Sequence, residues 1–100
     1  MRSTKIKYQL ASGAVLKFVS WGEEEAGVVY NVSSGDTHLV TKAGEILLQL
    51  LQKKPQTILQ LVDEVARFPE VFTDDERNIE TMQELLVGLK RIDLIEPTII

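Results

Sequence analysis

One hundred residues with 44% hydrophobic and 26% charged content and a mean hydropathy near zero describe an ordinary soluble domain, neither disordered nor membrane-spanning, with room for one core. The absence of cysteine excludes disulfides, thiolate nucleophiles, iron–sulfur clusters and cysteine-based zinc sites, and the lone histidine, His38, leaves little for acid–base chemistry near neutral pH. The net charge of -4 is unevenly placed: residues 1–22 carry Arg2, Lys5, Lys7 and Lys17 without an acid, whereas residues 57–100 carry four bases against ten acids, a balance that repels nucleic-acid phosphates and suits a peptide partner with basic residues.

In chain order, Ile6–Leu10 reads as an extended piece, and Ala14–Trp21, rich in β-branched and aromatic residues, as a strand that Gly22 and the exposed turn Glu23-Glu24-Glu25 end. Ala26–Val32 and Thr37–Thr41 read as the arms of a hairpin around Ser33-Ser34-Gly35-Asp36, completing a three-stranded antiparallel meander. Thr41 is the expected N-cap of a first helix whose apolar residues Ala43, Ile46, Leu47, Leu50 and Leu51 share one face, before Lys53-Lys54-Pro55 stops it. Thr57 and Gln60 form a capping box for a second helix that carries Ile58, Leu61, Val62 and Val65 and runs to about residue 67, where Phe68-Pro69 breaks it. A second box, Thr73 with Glu76, predicts a third helix with Asp74 and Asp75 in its first turn and Ile79, Met82, Leu85, Leu86 and Leu89 as its apolar face. Ile92–Glu96 reads as a short terminal strand before Pro97. The expected fold is α+β: a small winged-helix-like domain over residues 1–100, with a three-stranded antiparallel sheet followed by three helices and a short strand.

Chemistry is hard to place on this chain. Asp36, Thr37 and His38 are neighbours on a strand, whose side chains alternate faces rather than converge, so they do not form a catalytic group. Glu23–Glu25 and Asp74–Glu76 lack the spacing of a calcium loop, and Ser34-Gly35-Asp36 lacks the second glycine and the lysine of a phosphate loop. No enzyme, metal or cofactor is expected. No apolar run approaches the ~20 residues that cross a bilayer, and polar residues interrupt the N-terminus where an export signal would be apolar, so the expectation is a cytoplasmic protein that partners neither membrane nor nucleic acid.

Binding is better supported. A small sheet has edges whose free N–H and C=O groups accept another strand, and Thr37–Thr41 beside the third helix would offer such an edge with a groove next to it. Leu39 and Val40 point to opposite faces, so one of them is expected to line that groove. Core packing is the competing reading for Leu39, Ile79, Met82, Leu86 and Leu89. Leu85, at the margin of the stripe, and the adaptable Met82 are the better groove candidates. The same edge would also serve a homodimer.

Trp21 before the acidic turn, the pair Tyr30-Asn31, the segment Gly35-Asp36-Thr37-His38-Leu39 and the closing Gly88–Glu96, in this order over about Leu16–Ile95, resemble the PqqD-like peptide chaperones, more narrowly the branch associated with the HPr-rel-A system. The resemblance implies a non-catalytic precursor-peptide recognition domain. Such a domain binds the leader of a ribosomally made peptide by strand addition and presents it to a modifying enzyme, a radical maturase or an HPr-kinase-like protein. It also implies a peptide site at Thr37, His38, Leu39, Val40 and Thr41 on the strand and at Asn78, Met82, Leu85 and Leu89 on the third helix. The alternatives are a winged-helix DNA-binding protein, since the second helix, turn and third helix have helix-turn-helix order, and a structural subunit of a larger complex.

Overall fold

The structure, a computed structural model, describes residues 6–20 and 26–99. Among them the elements run β1 (Ile6–Leu10), β2 (Leu16–Ser20), β3 (Ala26–Asn31), β4 (Asp36–Thr41), α1 (Lys42–Lys53), β5 (Gln56–Thr57), α2 (Ile58–Val65), α3 (Ile79–Arg91) and β6 (Ile95–Ile99). The fold is α+β, with the antiparallel meander β2-β3-β4, three helices and a terminal strand. Trp21 and the turn Glu23–Glu25 lie outside the described residues.

The meander is in the register that its alternation implies. Phe18 faces Val29 and Val29 faces His38, while Val19 faces Val28 and Val28 faces Leu39. Leu16, Val29 and Val40 point into the core, and the opposite face exposes Val19, Tyr30 and Leu39. Gly35 makes the hairpin turn at φ 81, a left-handed conformation that costs glycine nothing, and its N–H closes the turn by donating to the Asn31 carbonyl at 2.8 Å.

β1 belongs to a second sheet, with strand order β5-β1-β6. It pairs antiparallel with β6 from Ile6↔Ile99 to Leu10↔Ile95 and with β5 through Lys7↔Thr57 and Tyr8↔Gln56. The terminal strand therefore starts three residues later than the sequence implies and runs through Pro97. Proline is tolerated there because β6 is an edge, where the missing N–H interrupts no inner ladder. Residues 92–94, read as strand, instead end α3: Asp93 sits at φ 60, and the Leu94 N–H donates back to the Leu89 carbonyl at 3.2 Å.

Two helix starts follow the sequence closely. Thr41 Oγ1 accepts from the Gly44 N–H at 3.1 Å, and Thr57 and Gln60 exchange both bonds of their capping box. The third start differs. The Thr73–Glu76 box does form, but it opens only the single 3-10 turn Asp74–Glu76, and α3 begins at Ile79 with Asn78 as its cap, Oδ1 accepting from the Thr81 N–H at 2.8 Å. Between α2 and that turn, Phe72 is 1% exposed and anchors the connection in the core. α1 lies at the centre, packed against β1, β3, β4, α2 and α3, with Ile46, Leu47, Leu48, Leu50 and Leu51 all buried. Among the described residues no helix is long and apolar enough to cross a membrane.

Glu96 of β6 ties its strand to the far end of β1. Its carboxylate accepts from the Ser12 backbone N–H and from the Gln9 side-chain amide, each at 3.0 Å, and these bonds, the backbone one first, hold its pKa below the ordinary 4.5. A depressed carboxylate pKa stabilises the fold above the unfolded-state value, and that contribution is lost as pH falls through the folded value. Glu96→Ala should therefore lower the urea midpoint at pH 7 and flatten its decline below pH 4.5 relative to the parent chain.

Candidate functional site: a groove between strand and helix

β4 is an edge of its sheet, so the N–H and C=O groups of every second residue along it have no strand partner. Beside it runs α3, and both elements rest on α1. Gly44, in the first turn of α1, lies between them: a methyl added there would sit 3.7 Å from Val40 Cβ on β4 and 3.7 Å from Leu89 Cδ2 on α3, both in ordinary contact. Above this floor lies an open cavity of about 290 Å³, bordered by Leu39, Val40 and Thr41 on one side and by Leu85, Gly88, Leu89 and Ile92 on the other. A second cavity of about 500 Å³ continues from it, sharing Thr41 and Leu85 and reaching Lys42 and Ala43 at the start of α1 and Val71 in the α2–α3 connection.

The helical wall comes from the geometry of α3, which carries two apolar stripes one position apart. Met82, Leu86 and Leu89 are buried in the core, whereas Leu85, Gly88 and Ile92, at i, i+3 and i+7, turn toward β4 and stay partly open. Gly88 leaves the middle of that wall bare: a Cβ built there meets nothing within 4 Å.

Of the residues singled out from the sequence, Leu39, Val40, Thr41, Leu85 and Leu89 come together around the groove. Leu39 and Val40 both border it, against the expectation that only one would. Val40 reaches it from the core side at 7% exposure, and Leu39, at 73%, stands at the rim of an edge strand where no further strand screens it. Thr37 and His38 lie on β4 outside both cavities. Met82 is fully buried and belongs to the core, because it falls on the inner stripe. Asn78 is committed to capping α3. Of the five residues open to a core reading, Met82, Leu86 and Leu89 are core, while Leu39 and Ile79 are exposed.

The sequence reading missed Gly44, Gly88, Ile92 and the acidic rim. Glu84 borders the smaller cavity, and Glu70 and Glu76 border the larger. The signal for Gly88 and Ile92 was present as the second α3 stripe. Glu70 comes from an irregular connection with no periodicity to place it. Among the described residues no group of three or more His, Cys, Asp or Glu is gathered to hold a metal ion. Compared with models of protein families, with curated proteins and with solved structures, the chain matches none.

Substitutions separate the two stripes. Met82→Ala should cost ~2–5 kcal/mol by opening a core cavity, and Leu85→Ala, at a half-exposed position, clearly less. Gly88→Ala, in an open helical position, should stabilise the chain by roughly 0.5–1 kcal/mol. Urea unfolding of the three variants checks this order.

Proposed function

We propose that this chain is a non-catalytic peptide adaptor: it binds the leader of a ribosomally made precursor peptide as an added strand along β4 and presents the remainder to a modifying enzyme, a radical maturase or an HPr-kinase-like protein. The observation that carries the binding step is the pairing of a free strand edge with an apolar cavity directly beside it. Strand addition uses both parts, with backbone groups holding the peptide in register and the pocket reading alternate side chains. The leader as occupant and the modifying enzyme as partner rest on the PqqD-like resemblance of the Trp21 to Leu39 segment and the Gly88–Glu96 end. The carboxylates at the groove disfavour the DNA-binding alternative, because a phosphate backbone lying along α3 would meet Glu84 and Glu76.

Of two neighbouring strand residues, one turns its N–H toward β3 and the other outward, so Leu39→Pro and Val40→Pro together include the substitution that removes an outward donor. The test is a cross-linked pull-down from native extract with the tagged parent and both variants, read by mass spectrometry, with circular dichroism to verify that the helices persist. The parent should recover a short peptide cross-linked to β4 and α3 together with a peptide-modifying enzyme, and one proline variant that keeps its helices should lose both. Cross-links elsewhere, or recovery indifferent to both prolines, would overturn the proposal. A second copy pairing at the same edge would compete for it, so the leader peptide should shift any dimer seen by sedimentation toward monomer.

A further inference from the structure

The walls of the groove are acidic. Glu84 stands beside the smaller cavity and Glu70 and Glu76 beside the larger, and among the described residues none of the three has a basic side chain within ion-pair distance. One Oε of Glu76 is engaged by the Thr73 N–H and hydroxyl, which fixes the carboxylate without neutralising it. Lys42 is the one base that lines either cavity among the described residues, and its Nζ lies 3.6 Å from the buried carboxylate of Glu45. The apolar floor is thus flanked by three carboxylates that form no ion pair among the described residues.

We propose that the groove selects an extended segment in which an apolar residue and a lysine or arginine are separated by one residue. The inference rests on the peptide-binding reading above and names the chemistry of the peptide. An added strand turns every second side chain to the same face, a step of about 6.6–6.8 Å over two residues. Along α3 the rise from Glu84 to the bare wall at Gly88 and Leu89 is about 6–7.5 Å at 1.5 Å per residue. The two repeats match for a strand lying along α3. An apolar side chain seated over Gly88, between Leu39 and Ile92, brings the next side chain on that face to Glu84, and an extension of the same strand past Thr41 reaches Glu70 and Glu76. A cation there meets carboxylates at the mouth of an open groove, where charge contributes to selectivity and association rate and weakens with salt.

The probe is a displayed library of random peptides, selected on the parent chain, with the enriched sequences made synthetically and titrated by NMR. Enrichment of apolar-x-Lys or apolar-x-Arg, in either direction, with amide shifts at Leu39–Thr41 and Gly88, is the expected result. Glu84→Gln should then weaken the best peptide about tenfold at low salt, a difference that shrinks toward twofold at 0.5 M salt. Gly88→Leu, which fills the wall where a Cβ meets nothing, should abolish binding while a thermal melt shows the fold retained. Peptides that shift the groove amides yet carry no basic residue, or that bind Glu84→Gln equally well, would overturn this inference and leave the adaptor reading standing. Peptides that shift amides elsewhere and ignore Gly88→Leu, or a selection that enriches nothing, would overturn both.

Discussion

The burial of α1 is the constraint on which the rest of the structure depends. Five consecutive residues, Gly44, Glu45, Ile46, Leu47 and Leu48, are buried, which a helix lying on a surface with one apolar face cannot achieve. α1 is therefore enclosed by β1, β3 and β4 and by the other two helices. Each buried leucine contributes roughly 1.5–3 kcal/mol relative to exposure, so the run 46–51 is the main source of cohesion between elements that are distant in sequence. Enclosure also takes in a carboxylate. Glu45 is 4% exposed and sits in the first turn, where the helix dipole favours negative charge, with Lys42 3.6 Å away and the Gln49 amide donating to it at 3.5 Å.

A helix enclosed in this way dictates where its neighbours cannot close on each other. β4 and α3 both pack on α1, and the side chains of Val40 and Leu89 stand on either side of its first turn near Gly44. The groove is the space left between them. Two features keep it from filling. Gly88 supplies no side chain to the middle of the wall, and the hairpin ends its sheet at β4, so no further strand covers the opening. Gly88 costs the helix up to about 1 kcal/mol relative to alanine, a local sacrifice of stability that maintains an open surface.

What the sequence made legible was what short-range periodicity encodes. The alternation of β2, β3 and β4 and the 3.6-residue spacing of α1 and α2 placed those elements within a few residues. The second sheet escaped because its pairing joins Ile6 to Ile99 across the whole chain, and no local pattern records a partner so far away. The start of α3 was misplaced for a different reason: the Thr73–Glu76 box is satisfied by one turn of 3-10 helix, so its presence marks a helical start without a helical length, and Asn78 provides the cap for α3. At the site, one residue on α3 separates Leu85, which lines the groove, from Leu86, which is buried in the core, as is Met82 a turn earlier. Sequence spacing identifies an apolar face about 100° wide and cannot divide it into core and rim until the neighbours are known.

The relative weight of edge and groove follows from magnitudes. Ordering one peptide residue costs about 1–2 kcal/mol of backbone entropy, while a backbone hydrogen bond contributes about 0.5–1.5 kcal/mol net. A strand added along β4 therefore roughly breaks even on its backbone alone, and because every residue type offers the same N–H and C=O, that part of the binding is blind to sequence. The surplus has to come from side chains that enter the space between Leu39 and Ile92, where a well-buried apolar group adds roughly 1.5–3 kcal/mol. On the proposed reading, the edge would align a peptide and the helical wall would decide which peptide is held. For a ligand bound in that way, the residues that would distinguish one peptide from another belong on α3, on the stripe of Leu85, Gly88 and Ile92 and at Glu84 beside it, rather than on the strand that would make the hydrogen bonds.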